Sequence, residues 1–195
     1  MRFMGVDMCE SHMPVRGHRR VVRLLGVAPL AGALLLGSVL HCASVSAGEA
    51  QTAARDEVHA CLLRAAEYHR VDADLLHAIA TVESGLDPRA LNQANADGSR
   101  DIGLMQINSS WLPRLARWSI REQDLFDPCI SAYVGAWILA DNMRRHGPVW
   151  RAVGAYNART PERQLRYVAR VRQQLARLRA ASGSSEHSAS QPRQQ

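Results

Sequence analysis

An apolar helical run ends on an acid, and a polar, turn-rich segment follows it. Leu75, Leu76, Ile79, Ala80 and Val82 recur at helical spacing, Asp72 or Asp74 caps their start, and Glu83-Ser84-Gly85 closes the run. From Leu91 to Asn108 the chain gathers Asn, Asp, Gly and Ser in its first half, with Asp97-Gly98 as a tight turn and Asp101 just beyond. The alternation predicts a helix beside a small hairpin. It also places two carboxyl groups in unlike surroundings. Apolar neighbours disfavour the charged form of Glu83 and raise its pKa. Polar neighbours leave Asp101 charged. Such a pair can divide the work of a proton donor and a charged stabiliser.

Most of the remaining chain reads as helix. Val58, Cys61, Leu62, Ala65 and Ala66 share one face of a helix over Arg55 to Arg70. Short helices are expected around residues 110–117 and 121–125. Asp127-Pro128 supplies a cap and first turn for a helix to about Arg145, stopped by Gly147-Pro148. Another helix covers residues 149–156, and Thr160-Pro161 opens a last one to about Arg179. Beyond it, Ser, Gln, His and Pro predict a disordered tail over residues 182–195. The expected fold is mainly α (α+β in detail), one domain over residues 52–181 with a hairpin or turn-rich segment beside a cleft.

The start of the chain reads as an export signal. Arg16, Arg19, Arg20 and Arg23 precede an apolar run from Leu24 to Leu40, and Val45 and Ala47 suit a cleavage site. Residues 1–47 are therefore expected to be a signal peptide that directs the domain to the periplasm. The alternative is an uncleaved membrane anchor, for which the run is short. Removing residues 1–47 takes away five arginines and two acids, so the formal charge falls from +6 to +3. That balance is ordinary for a soluble domain, is compatible with an anionic polymer, and calls for no nucleic acid. Cys9 and Cys42 would leave with the signal. Cys61 and Cys129 remain as an even pair in an oxidising compartment, either bridged or as two buried thiols.

Other chemistries find little support. His59, His69, His77 and His146 lack a metal-ligand pattern. Asn95, Asp97, Gly98 and Asp101 lack EF-hand spacing and a closing glutamate. There is no Gly-rich phosphate loop, and the serines have no histidine at a recognisable spacing. Neither a metal nor a cofactor is expected. Gln106 and Asn108 carry amides that can donate to and accept from sugar hydroxyls, or can bond within the hairpin. Gly103 allows close backbone approach to a substrate. Trp111 is the cleft candidate among the tryptophans, with Trp118, Trp137 and Trp150 read as packing. Tyr156-Asn157 closes a helix and can present polar groups to the cleft.

These residues together resemble the small lysozyme-like lytic transglycosylases that accompany type III secretion, type IV secretion and pilus systems. The similarity runs from Val58 to Val171. It rests on Ala80-Thr81-Val82-Glu83-Ser84, Gly103-Leu104-Met105-Gln106-Ile107-Asn108, Asp127-Pro128-Cys129 and Gly154-Ala155-Tyr156-Asn157-Ala158. The resemblance implies that Glu83 is the catalytic acid/base, and that Gln106, Tyr156 and Asn157 line the cleft. It places Ser84, Gly103, Met105 and Asn108 in substrate-binding motifs. It also implies a Cys61–Cys129 disulfide. Residues 95–101 look like the hairpin of animal-type lysozymes, where the aspartate matching Asp101 is a second catalytic carboxylate and the tryptophan matching Trp111 touches sugar. The family usually carries glycine after Ala158, where this chain has Arg159.

The implied activity is cleavage of peptidoglycan between N-acetylmuramic acid and N-acetylglucosamine to give 1,6-anhydro products. The implied partners are peptidoglycan and components of a secretion or pilus system. A muramidase using Glu83 and Asp101 with water is the first alternative. A peptidoglycan-binding assembly module that no longer turns over is the second.

Overall fold

The computed structural model describes residues 46–189 apart from residues 148 and 159, with side chains from residue 48 to residue 183. The expected signal peptide up to residue 45, Cys9, Cys42 and Arg159 lie outside the described residues. Among those described, no helix is long and apolar enough to cross a membrane. All of them fall in one compact unit, residues 41–195.

Six α-helices and a small sheet make up this unit, the mainly α, lysozyme-like architecture expected. Helix α1 (Ser46–His69) buries Val58, Cys61, Leu62, Ala65 and Ala66 on its predicted face. It begins earlier than expected. Residues 48–57 are exposed, but they carry Ala, Glu, Gln and Arg with no proline, so nothing interrupts the helix. Helix α2 (Ala73–Ser84) is capped by Asp72, whose carboxylate accepts from the Leu75 N–H at 2.7 Å. It buries Leu75, Leu76, Ala78, Ile79 and Ala80.

A three-stranded antiparallel sheet follows: β1 (Leu91–Asn92), β2 (Asp101–Ile102) and β3 (Ile107–Asn108), in that order. Its register sets Asp101 between Asn92 on one side and Asn108 on the other. The expected two-residue turn at Asp97-Gly98 is not what joins β1 to β2. The connection takes residues 93–100, and its turn runs from Asn95 O to Gly98 N at 3.0 Å. Asn92 and Asn95 both reach Asp101, so side-chain bonds organise a longer loop.

Helix α3 (Leu112–Leu115) is a single turn between 3₁₀ segments Ser109–Trp111 and Ala116–Trp118; a further 3₁₀ segment covers Glu122–Phe126. Helix α4 (Pro128–His146) starts as predicted, with Asp127 accepting from the Ile130 N–H at 2.9 Å. It packs against α1, and a Cys61–Cys129 disulfide joins the two helices. Helix α5 (Val149–Asn157) leads to α6 (Pro161–Ala189), which packs against α2 and α5. Tyr167, Val171 and Leu175 form the buried stripe of α6 at helical spacing.

Helix α6 continues past Arg179 to Ala189. Arg177 to Ala181 are good helix formers, and no proline occurs before Pro192 to stop the helix.

Candidate active site

Glu83 occupies the last turn of α2. Gly85, at φ 67°, ends the helix by returning its N–H to Thr81 O at 3.0 Å. The Ser84 hydroxyl donates to Leu104 O at 2.8 Å and stands 3.3 Å from Ala80 O. The backbone beside Glu83 is thus tied both to its own helix and to the turn between β2 and β3.

Three elements converge on the Glu83 carboxyl. Tyr167 of α6 donates a 2.5 Å hydrogen bond to Oε1. The Asn157 side chain, at the end of α5, lies near enough to the same carboxyl to favour its charged form. The charges of Arg170 on α6 and Asp101 on β2 both act on it. Burial dominates, and it pushes the pKa of Glu83 up to about 7. Tyr167, Arg170 and Asn157 pull the value down, while Asp101 pushes it further up. The position at a helix C-terminus, where carbonyl dipoles oppose negative charge, acts in the same sense as burial.

Two phenols flank this acid and stay protonated. Burial and the nearby Glu83 hold both Tyr156 and Tyr167 well above the ordinary tyrosine range. Tyr156 donates to Met105 O at 3.1 Å, which fixes α5 against the turn between β2 and β3. Tyr167 has its ring in the core and its hydroxyl in the site.

Asp101 sits in a cage of amides. Asn108 donates to Oδ1 at 2.8 Å, and Asn92 and Asn95 each donate to Oδ2 at 2.9 Å. Asn108 also donates to Ser99 Oγ at 2.8 Å and accepts from the Ser110 N–H at 3.0 Å. Gln106 spends its amide donors on Gly103 O at 2.9 Å and Ala90 O at 3.2 Å. Of the two readings of these amides, bonding within the hairpin is the one the geometry displays.

Gly103 and Met105 also carry structural work. A side chain at Gly103 would fall 2.0 Å from Leu125 O, so the close approach that needs glycine here is to Leu125 rather than to a ligand. The Met105 side chain is fully buried, and its N–H takes the Ser131 hydroxyl as acceptor at 3.1 Å. Trp111 is half-buried and meets Trp137 edge-on at 5.4 Å; Trp118 does the same from the other side. The Arg114 guanidinium lies 4.7 Å from the Trp137 ring and 5.6 Å from that of Trp111.

Residues 60–177 match the model of the Transglycosylase SLT domain. This chain belongs to the SLT transglycosylase family. Among curated relatives, Invasion protein IagB of Salmonella typhimurium is 43% identical over 132 residues, covering 65% of this chain and 82% of that protein. Protein IpgF of Shigella flexneri is 37% identical over 127 residues, covering 63% and 83%. The X polypeptide of Escherichia coli is 36% identical over 132 residues, covering 63% and 76%. The SLT match takes in every residue of the Glu83 constellation, from α2 through the sheet to α6.

Sequence reasoning missed Tyr167, Arg170, Asn92 and Asn95. Tyr167 had a usable signal. A tyrosine in a buried helical stripe needs a partner for its hydroxyl, and an acid ending another apolar helix is a natural one.

Proposed function

We propose that this SLT protein is a peptidoglycan lytic transglycosylase with Glu83 as acid and base. The observation that carries the reading is the Glu83 carboxyl, raised to about 7 among Tyr167, Asn157 and Asp101. At neutral pH a useful fraction holds its proton and the rest is ready to accept one.

Glu83 transfers its proton to the glycosidic oxygen between N-acetylmuramic acid and N-acetylglucosamine as the bond from C1 to that oxygen breaks. Positive charge then builds at C1 and the ring oxygen. Asp101, or the 2-acetamido group of the sugar, stabilises it. The Glu83 carboxylate next takes the proton of the muramic 6-hydroxyl as O6 bonds to C1. The product is a 1,6-anhydro sugar, the enzyme regains its proton, and no water is consumed. Tyr167 and Asn157 orient the carboxyl through both steps. Ser84, Gly103, Met105, Gln106 and Asn108 shape the cleft wall through the hairpin, Tyr156 braces it, and Trp111 offers its ring to sugar.

A muramidase is the second reading, because Asp101 supplies the other carboxylate that a hydrolase would use. The amide cage argues for the transglycosylase. Three donors already occupy the Asp101 oxygens, which suits a fixed charge better than an attacking nucleophile. The site of action is the periplasm. The purpose is a local opening of the wall for a secretion or pilus apparatus, in keeping with a relative named as an invasion protein.

Mass spectrometry of peptidoglycan digested by residues 48–195 tests the reading, with Glu83→Gln as control. Anhydro-muropeptides that vanish in the variant are expected. Products heavier by one water would make the protein a muramidase, and no products from folded protein would leave a binding module.

A further inference from the structure

Most ion pairs of this domain join an arginine to a nearby acid. Arg179 pairs with Asp72 and Asp74, Arg144 and Arg145 with Asp141, and Arg100 with Glu122. Several other arginines among the described residues have no such partner, and four of them share one face of α6. Arg163, Arg166, Arg170 and Arg177 are all exposed, and among the described residues no carboxylate lies within ion-pair distance of any of them. Their spacing of three, four and seven residues puts them on one face of the helix. At 1.5 Å per residue the stripe is about 21 Å long.

This stripe is continuous with the acid. The Arg170 guanidinium lies 5.6 Å from the ring of Tyr167, whose hydroxyl holds Glu83. The charge of Arg170 also acts on Glu83, so this end of the stripe is beside the acid. The sugar rings carry hydroxyls and acetamides, which are neutral. Fixed negative charge on such a strand resides on carboxylates of its peptide stems. A guanidinium fork matches a carboxylate in both charge and geometry.

We propose that Arg163, Arg166, Arg170 and Arg177 form a carboxylate-binding stripe that engages the peptide stems of peptidoglycan beside the cleavage site. The inference rests on the peptidoglycan reading above and names the part of the substrate that gives specificity. Strands with free stem carboxylates would be held along α6, and strands with those carboxylates capped as amides would be held by the cleft alone.

Binding is measured so that failure of catalysis does not decide the matter. The Glu83→Gln chain is pelleted with intact sacculi, with sacculi whose stem carboxylates are capped as methylamides by carbodiimide and methylamine, and with phosphatidylglycerol vesicles, over a range of salt. The same chain with Arg163→Gln, Arg166→Gln and Arg177→Gln is run beside it, and equal melting temperatures establish that both are folded. Binding to intact sacculi should be about tenfold tighter than to amide-capped sacculi. That margin should shrink with salt and disappear in the triple variant. Equal binding to intact and amide-capped sacculi would overturn the inference, as would a margin that survives in the triple variant. Preference for vesicles over intact sacculi would assign the stripe to a membrane and overturn it equally. Cleavage by the unmutated acid is scored separately, so a chain that reads stems without cutting them would lose the proposed activity and keep this site.

Discussion

Tyr167 donates its hydroxyl proton to Glu83 Oε1 at 2.5 Å, across 84 residues of sequence. The bond joins the last turn of α2 to the buried stripe of α6, and it turns a core contact into part of the site. It favours the charged form of Glu83 and so opposes the burial that raises its pKa. These are the two largest of the opposing effects behind the value near 7.

Tyr167→Phe should therefore move the alkaline limb of kcat/KM upward. Phenylalanine keeps the buried ring and removes the donor, so the charged carboxylate loses support and the proton is held to higher pH. The pH profile of muropeptide release checks this; a limb that stays in place would mean that Tyr167 only packs.

Asp101→Asn should shift the same limb downward, because Asp101 raises the Glu83 pKa through its charge. The variant should also lose about 1–3 kcal/mol of stability. Its new amide must face at least one of the donors from Asn92, Asn95 and Asn108, and two donors cannot bond each other. Urea melts and the pH profile measure the two effects independently.

Glu83→Gln should abolish turnover, a loss of at least about a hundredfold, and should change stability in a pH-dependent way. The native Glu83 pKa is raised from 4.5 to about 7. Its contribution to stability is then fully present below pH 4.5 and is lost as pH rises through 7. At pH 8 the native protein should be disadvantaged by up to about 3 kcal/mol relative to a neutral side chain, against little at pH 4. Thermal melts of both proteins across that range check it; a difference independent of pH would contradict it.

Loss of the Cys61–Cys129 bridge should cost about 4 kcal/mol. It closes a separation of 68 residues and clamps α1 to α4. The melting temperature of Cys61→Ala/Cys129→Ala, compared with the native chain with and without reductant, tests the figure.

Local rules made much of this molecule readable. Asp72 and Asp127 cap the helices they announce, Gly85 ends α2, and the α1 face from Val58 to Ala66 is buried as its spacing requires. Glu83 was legible for the same reason, since the apolar face that desolvates it is adjacent in sequence. What remained hidden depends on contacts between distant elements. The buried stripe around Tyr167 signals that its hydroxyl needs a partner, but only the packing of α6 on α2 selects Glu83. The β1–β2 connection misled because Asn92 and Asn95 are organised by Asp101 rather than by the Asp97-Gly98 signal. The end of α6 was also hard to read, because it runs to Ala189 through Ser182, Gly183, Ser184 and Ser185, which are poor helix formers.

The most direct test of the account is titration of the Glu83 carboxyl by ¹³C NMR, with its signal assigned by difference from Glu83→Gln. The account predicts a midpoint near 7, coincident with the alkaline fall of kcat/KM. A midpoint near the ordinary 4.5 would mean that this fold does not hold a proton on Glu83 at neutral pH, and the proposed acid would be the wrong residue.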